Sequence, residues 1–514
     1  VRLRADAAPA WAVATTRIVD AIVPVECPQS ATSTERLLAP FRGPVIDEVL
    51  RRWAPPDELV VAPKVMARLV AAVLDGWLER VLHAGHRPAA CDGANDAEIW
   101  IHWFTHHPAL ARSLGERLVS LSDAVHHLLH RLVRDTAGVA ALLGVARSAV
   151  RRVEDLHLGL GDAHGVGRSV CGLDLGSGGR VIFKPKKPGI ARWFATLHAA
   201  VADRLPPESR LRLAETWGTG DCTWERPVDV APLGSDAEAD MFYRRAGVLT
   251  ALAQAARIHD LHGENILPAG AWPVPIDLEV AGSPEPSLAD AQAPWMRSTV
   301  TAWMASADQL GLLPSIRPDA DGEERYECAF PSRHERARRS GVCTPVLDGK
   351  AVCIEDHRES FCAGYAAARA ALRALDPSIR EALDRSLAAC HVRYVPRSTA
   401  LYDALRLASL ERHGVGETAD LEVELERITA ETPADPPALV RLSDLEIWSL
   451  THGVIPFFIV RPGNGSLAAA GGGRLQLGFH PVSNPLAYDA SHGVEPTIET
   501  AWVRAAIGFL EAPW

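Results

Sequence analysis

The chain predicts an α+β fold, a small antiparallel sheet lobe and a helical lobe embedded in additional, mainly helical segments. Three observations carry that expectation. Apolar residues recur at helical spacing through residues 64–84, 96–106 and 114–143. Beyond residue 150 the period changes, and residues 153–160, 168–175 and 180–184 become short strand-compatible segments separated by glycine-bearing gaps. Helical pattern then returns in residues 189–204 and 237–258, the second running directly into a loop rich in acids.

Three regions follow from this pattern: a mainly helical N-terminal region (1–150), a small lobe (151–245) and a helical large lobe (246–514). In the first, His102/His106 and His126/His130 lie one helical turn apart. No third ligand or HExxH-type Glu accompanies them, so they read as surface or packing histidines. In the small lobe, the first gap is Gly161-Asp162-Ala163-His164-Gly165-Val166-Gly167 and the second is Gly176-Ser177-Gly178-Gly179. The third strand, Val181-Ile182-Phe183-Lys184, ends on a cation. In the large lobe, residues 281–294 and 317–352 read as irregular. Residues 359–375 and 379–390 read as helices, and residues 463–473 as a flexible loop.

The chemistry sits in two adjacent segments, His259-Asp260-Leu261-His262-Gly263-Glu264-Asn265 and Ile276-Asp277-Leu278-Glu279. A carboxylate, an Asn five residues on, and a second carboxylate after a short hairpin form the spacing of a kinase-type phosphotransfer centre. Asp260 is placed to accept or orient a hydroxyl proton. Asn265 and Asp277 offer hard oxygens suited to Mg²⁺, and Lys184 is placed to bind ATP phosphates. Glu279 faces the same side as Asp277 if the segment is extended, and His262 can hold the loop or a phosphate. The fold expectation thereby sharpens to a kinase-like two-lobed core. One part is missing: a kinase pairs its Lys with a Glu on the next helix, and residues 189–204 contain no Glu. Either another acid reaches Lys184, or the lobe is rearranged.

Composition excludes several classes. Net charge is −11, from 64 acidic and 53 basic side chains, which argues against a general nucleic-acid binder. The nine cysteines are scattered, with no CxxC and no zinc or disulfide spacing. No apolar run is long enough to span a bilayer, and the charged N-terminal stretch has no signal-peptide core. The expected setting is the cytoplasm, with no membrane partner.

Further segments make the resemblance specific. They are Gly161 through Val170, Phe183-Lys184-Pro185-Lys186, Leu312-Leu313-Pro314, Arg393-Tyr394-Val395-Pro396-Arg397-Ser398-Thr399 and Ile455-Pro456-Phe457-Phe458, with Pro108-Ala109-Leu110-Ala111-Arg112 and Arg131-Leu132-Val133-Arg134-Asp135 upstream. With the two acid-bearing segments, they resemble the dehydratase part of class II lanthipeptide synthetases, the LanM family, from about residue 95 onward. The resemblance implies phosphorylation of Ser or Thr in a precursor peptide by ATP with Mg²⁺. Phosphate is then eliminated, with ADP in the same cleft, to give dehydroalanine or dehydrobutyrine. It assigns Lys184, Asp260, His262, Asn265 and Asp277 to phosphorylation, and Asp162, His164, Arg393 and Thr399 to elimination.

Two departures stand out. The Cys/Cys/His zinc cluster of the family's cyclase is absent, so the expectation is a stand-alone dehydratase whose product goes to a separate cyclase or tailoring enzyme. Val454 stands where the family pattern usually has Asp. Two other readings stay open at this point: a kinase of a peptide or small molecule that stops at phosphorylation, and a non-catalytic module that binds the precursor's leader.

Overall fold

The computed structural model describes residues 9–23, 33–83, 96–106, 108–161, 168–176, 178–282, 311–313, 315–318, 324–333, 337–339 and 343–394. Beyond these it describes 399, 401–402, 404–405, 446–447, 449–450, 454–462, 466–469, 474–476, 486, 500–501 and 503–504. The architecture is α+β and is organised around two large hydrophobic cores.

The first core joins the N-terminal helices to the small sheet. Helices α1 (Ala10–Asp20), α2 (Ser33–Arg52), α3 (Pro63–His83), α4 (Asp96–His106) and α5 (Pro108–Leu143) precede a short α6 (Arg147–Val150). Phe41, Trp77, Trp100 and Phe104 stack within it, with Phe41 edge-on to Trp100 at 4.7 Å between centroids. The sheet runs β1 (Val60–Val61), β2 (Arg152–His157), β3 (Cys171–Leu175), β4 (Arg180–Lys184), β6 (Cys222–Glu225), β5 (Thr216–Thr219) in spatial order. The three expected strands are present, the first ending at His157 and the second starting at Cys171. The sheet is not wholly antiparallel: β1, from the N-terminal region, joins parallel to β2. The β5–β6 hairpin was not anticipated.

Polar side chains tie α3 and α5 to this sheet. Asp155 on β2 receives Lys64 at 2.6 Å and Arg68 at 3.2 Å from α3. Asp155, His157 and Asp174 bring ligand atoms within 4.8 Å of one another, but Lys64, Arg68 and Arg180 already neutralise the two acids. On α5, Asp135 accepts the indole N–H of Trp224 at 2.9 Å, and Arg131 donates to the Thr219 carbonyl at 2.8 Å. The 131–135 segment therefore anchors the hairpin that the sequence did not reveal.

The second core surrounds α8 (Asp236–Ala255), which is buried along most of its length. Helix α7 (Gly189–Ala202) packs there with α9 (Arg358–Arg373) and α10 (Pro377–Ala388). Helices α8 and α9 cross on glycines: a Cβ on Gly364 would lie 1.8 Å from the Arg244 carbonyl oxygen, and one on Gly247 would lie 2.0 Å from that of Phe361. Only a residue without a side chain fits at either position. His126 is a packing histidine as expected, its Nε2 accepting from the Ala54 amide at 3.2 Å.

Two expectations of irregular chain are corrected. Residues 317–352 carry β10 (Glu324–Cys328) between β9 (Ser315–Pro318) and β11 (Ala337–Arg339), and a β12–β13 hairpin (Val346–Leu347, Lys350–Ala351). Within 463–473, Ser466–Ala469 forms β16, paired with β15 (Phe458–Val460) and β17 (Arg474–Gln476), while β14 (Val392–Tyr394) completes that sheet. Cross-strand hydrogen bonding overrides the loop-like composition in both places.

Candidate active site

Two adjoining cavities, of about 530 and 650 Å³, share a wall that includes Lys184, Lys186, Glu279 and Arg393. The smaller is lined by Lys184, Asp260, His262, Asn265, Asp277 and Thr399, among others. Seven of the nine sequence-predicted site residues thus meet at one place. The other two, Asp162 and His164, lie outside the described residues.

Lys184 ends β4 with a side chain only 8 % exposed. Its Nζ donates to Glu225 Oε2 at 2.7 Å and to the Ile276 carbonyl at 2.5 Å. The acid absent from α7 is thus supplied by β6. Ile182 stands opposite Glu225 in the β4–β6 ladder, so Lys184, two residues on, presents its side chain to the same face. Phe183 and Trp224, paired on the other face, go into the first core. Sequence reasoning missed Glu225 because it sought the partner on a helix. The available signal was the alternation in Cys-Thr-Trp-Glu.

The loop that carries Asp260 leaves α8 through two residues with left-handed backbones, Arg257 (φ 50°) and Asp260 (φ 67°). Asp tolerates that region better than most residues, and the surrounding bonds hold it there. The Asn265 side-chain N–H donates to the Asp260 carbonyl at 2.7 Å, the His259 amide donates to Val280 O, and the Ile276 amide donates to Asn265 O. The hairpin of β7 (Ile266–Ala269) and β8 (Trp272–Pro275) then returns the chain to place Asp277 in the same cavity. His262 Nε2 lies 3.7 Å from the Asp260 carboxylate. Desolvation in the cleft raises the Asp260 carboxyl above its ordinary value. Asp277 and Glu279 push the same way, while His262 and Arg393 oppose the shift. Burial pushes the neighbouring His259 down to about 4.

A linear chain of ion pairs crosses the wall between the cavities. Lys186 Nζ donates to Asp277 Oδ1 at 2.7 Å and to Glu279 Oε2 at 2.9 Å, and Arg393 Nη1 donates to Glu279 Oε1 at 2.6 Å. The Arg393 amide also donates to the Glu279 carbonyl at 3.0 Å, which joins β14 to the segment after β8. Burial favours the neutral form of Glu279, but Lys186 and Arg393 outweigh it and hold the carboxyl down at about 2. The Arg393 guanidinium is 5.5 Å from the Phe457 ring centroid, and among the described residues its buried Nε has no hydrogen-bond partner. Lys186 carried no individual role in the sequence reading, since its partners lie more than ninety residues away.

The donor set fits Mg²⁺. The Asn265 side-chain nitrogen is already engaged, which leaves its carbonyl oxygen, and Asp277 adds a carboxylate: two hard oxygens for an ion that takes few protein ligands.

A family model described as "Domain of unknown function (DUF4135)" matches residues 107–340 and 331–461, more than half of the chain. The chain belongs to the DUF4135 family. DUF4135 is associated with lanthipeptide synthetases, and the matched residues include Lys184, Asp260, Asn265, Asp277, Arg393 and Thr399. A curated relative, the lacticin 481/lactococcin biosynthesis protein LcnDR2 of Lactococcus lactis subsp. lactis, is 43 % identical over 56 residues. That alignment covers 11 % of this DUF4135 chain and 6 % of the relative's length. Among the described residues, no helix is long and apolar enough to cross a membrane.

Proposed function

We propose that this chain dehydrates Ser or Thr residues of a ribosomally made precursor peptide, by ATP-dependent phosphorylation followed by phosphate elimination. The observation that carries this reading is the single cavity shared by Lys184, Asp260, Asn265 and Asp277 with Arg393 and Thr399. Family membership and the LcnDR2 relative support a peptide of the lantibiotic class as substrate. The position of Lys184, at the end of the third strand in the antiparallel run β2–β3–β4, supports a kinase-like core.

In the first step the substrate hydroxyl attacks the γ-phosphorus of ATP, the bond to ADP breaks, and Asp260 takes or orients the hydroxyl proton. Its raised affinity for a proton suits that role. Lys184, fixed by Glu225 and the Ile276 carbonyl, presents its charge to the phosphates without a search over rotamers. Asn265 and Asp277 would hold Mg²⁺, which would supply charge neutralisation for the ATP phosphates.

In the second step a base removes the Cα proton of the phosphorylated residue. The released pair forms the Cα=Cβ bond, the Cβ–O bond breaks, and phosphate departs. Arg393, which lines the cavity, can hold that phosphate through its guanidinium, and Thr399 adds a hydroxyl donor in the same cavity. Asp162 and His164 are assigned to this step by resemblance alone.

Mass spectrometry of a cognate precursor after incubation with Mg-ATP tests the proposal. Loss of one water per modified residue supports it. Stable gain of phosphate without water loss reduces the chain to a kinase, and an unmodified peptide removes the catalytic reading.

A further inference from the structure

We propose that Lys186 is a second phosphate-binding cation, held on Asp277 and Glu279 until a divalent ion takes Asp277. This rests on the reading of the site as a Mg-ATP phosphotransfer centre.

The two lysines of the cleft differ in how they are held. Lys184 is 8 % exposed and fixed by a neighbouring strand and a backbone carbonyl. Lys186 is 24 % exposed, and both of its acids line the smaller cavity. Its backbone is immobilised: its amide donates to the Lys184 carbonyl at 2.8 Å, and its carbonyl accepts the Thr223 hydroxyl at 2.8 Å. Any response to a ligand therefore falls on the side chain of a residue that lines both cavities.

Charge makes the exchange obligatory. The ammonium sits 2.7 Å from the carboxylate suited to hold the metal. A divalent ion arriving on Asp277 repels it at short range. Glu279 cannot compensate fully, because Arg393 already shares that carboxylate at 2.6 Å. The displaced ammonium, still beside Glu279, can turn to the phosphate oxygens that arrive with the metal. When phosphate and metal leave, it returns to Asp277 and Glu279, so the carboxylate pair is never left bare. Lys186 serves as the local counter-ion in the empty state and as a phosphate ligand in the loaded one.

The test is calorimetric titration of the full chain with Mg²⁺ and a non-hydrolysable ATP analogue, comparing the natural chain with Lys186→Met. Without the competing ammonium, the Mg²⁺ concentration for half-saturation should fall by about threefold or more. Analogue affinity at saturating Mg²⁺ should weaken roughly tenfold through loss of a charge-assisted contact. An unchanged or raised Mg²⁺ requirement overturns the proposal, as does unchanged analogue affinity. Lys186→Gln, of similar reach and also uncharged, is measured in parallel with melting curves, so that misfolding of one variant does not decide the outcome. Failure of the natural chain to bind Mg²⁺ with the analogue would refute the phosphotransfer reading itself.

Discussion

Replacing Glu225 with Ala strips Lys184 of its carboxylate while leaving the ammonium buried. The pair is 8 % and 7 % exposed, so water cannot take the place of the lost partner. Breaking a buried pair from one side costs ~3–5 kcal/mol. The Ile276 carbonyl still accepts from Nζ at 2.5 Å, which places the expected loss near the lower end, about 3 kcal/mol. A Glu225→Ala/Lys184→Met double variant removes the orphaned charge and should recover most of that loss, a coupling that a double-mutant cycle isolates. Urea unfolding followed by tryptophan fluorescence is the assay, since Trp224 is fully buried beside Glu225 on β6. A single-variant loss below about 1 kcal/mol, the scale of an exposed pair, would refute the reasoning. So would a double variant no more stable than Glu225→Ala.

Asp260→Asn should abolish both phosphorylation and dehydration of a precursor peptide by mass spectrometry, with Mg²⁺-nucleotide binding retained. Arg393→Ala should accumulate phosphopeptide; dehydrated product at the natural rate would remove Arg393 from elimination. Gly364→Ala forces a Cβ against the Arg244 carbonyl and should cost about 1–3 kcal/mol or more by overpacking, read as a lowered melting temperature. For Asp155, burial opposes the charge, but Arg68 and Lys64 outweigh it and depress the carboxyl far below its ordinary 3.8. Its stabilising contribution is therefore complete above that value and is lost as pH falls through the lower, folded one. The natural chain should lose its stability advantage over Asp155→Asn in strong acid, and an advantage independent of pH would contradict the assignment.

Periodicity made the long helices legible, and β4 was legible because an apolar run ended on a lone cation. The acids at 260, 277 and 279 were legible because their spacing along the chain is itself the signal. Glu225 was not, because its meeting with Lys184 depends on the β5–β6 hairpin, built from two four-residue strands with little period to read. The same holds for Lys186 and for the Arg393–Glu279 contact, which spans 114 positions and exists only once β14 lies beside the segment after β8. The strand at Ser466–Ala469 hid in a glycine-rich stretch because pairing with β15 and β17, rather than intrinsic propensity, holds it extended.

The first hydrophobic core sets a practical limit on how the chain can be cut. It draws Leu69, Trp77 and Leu128 from the helices and Val153, Phe183 and Trp224 from the sheet into one apolar body, and β1 is hydrogen-bonded into the sheet's edge. A fragment designed to begin where the family match starts, at residue 107, would lack α1–α4 and β1. It would present the apolar side of α5 and an unpaired edge of β2 to solvent, an invitation to aggregate. For anyone preparing a minimal fragment around the cleft, the smallest workable unit on the N-terminal side is therefore dictated by shared burial rather than by recognisable motifs.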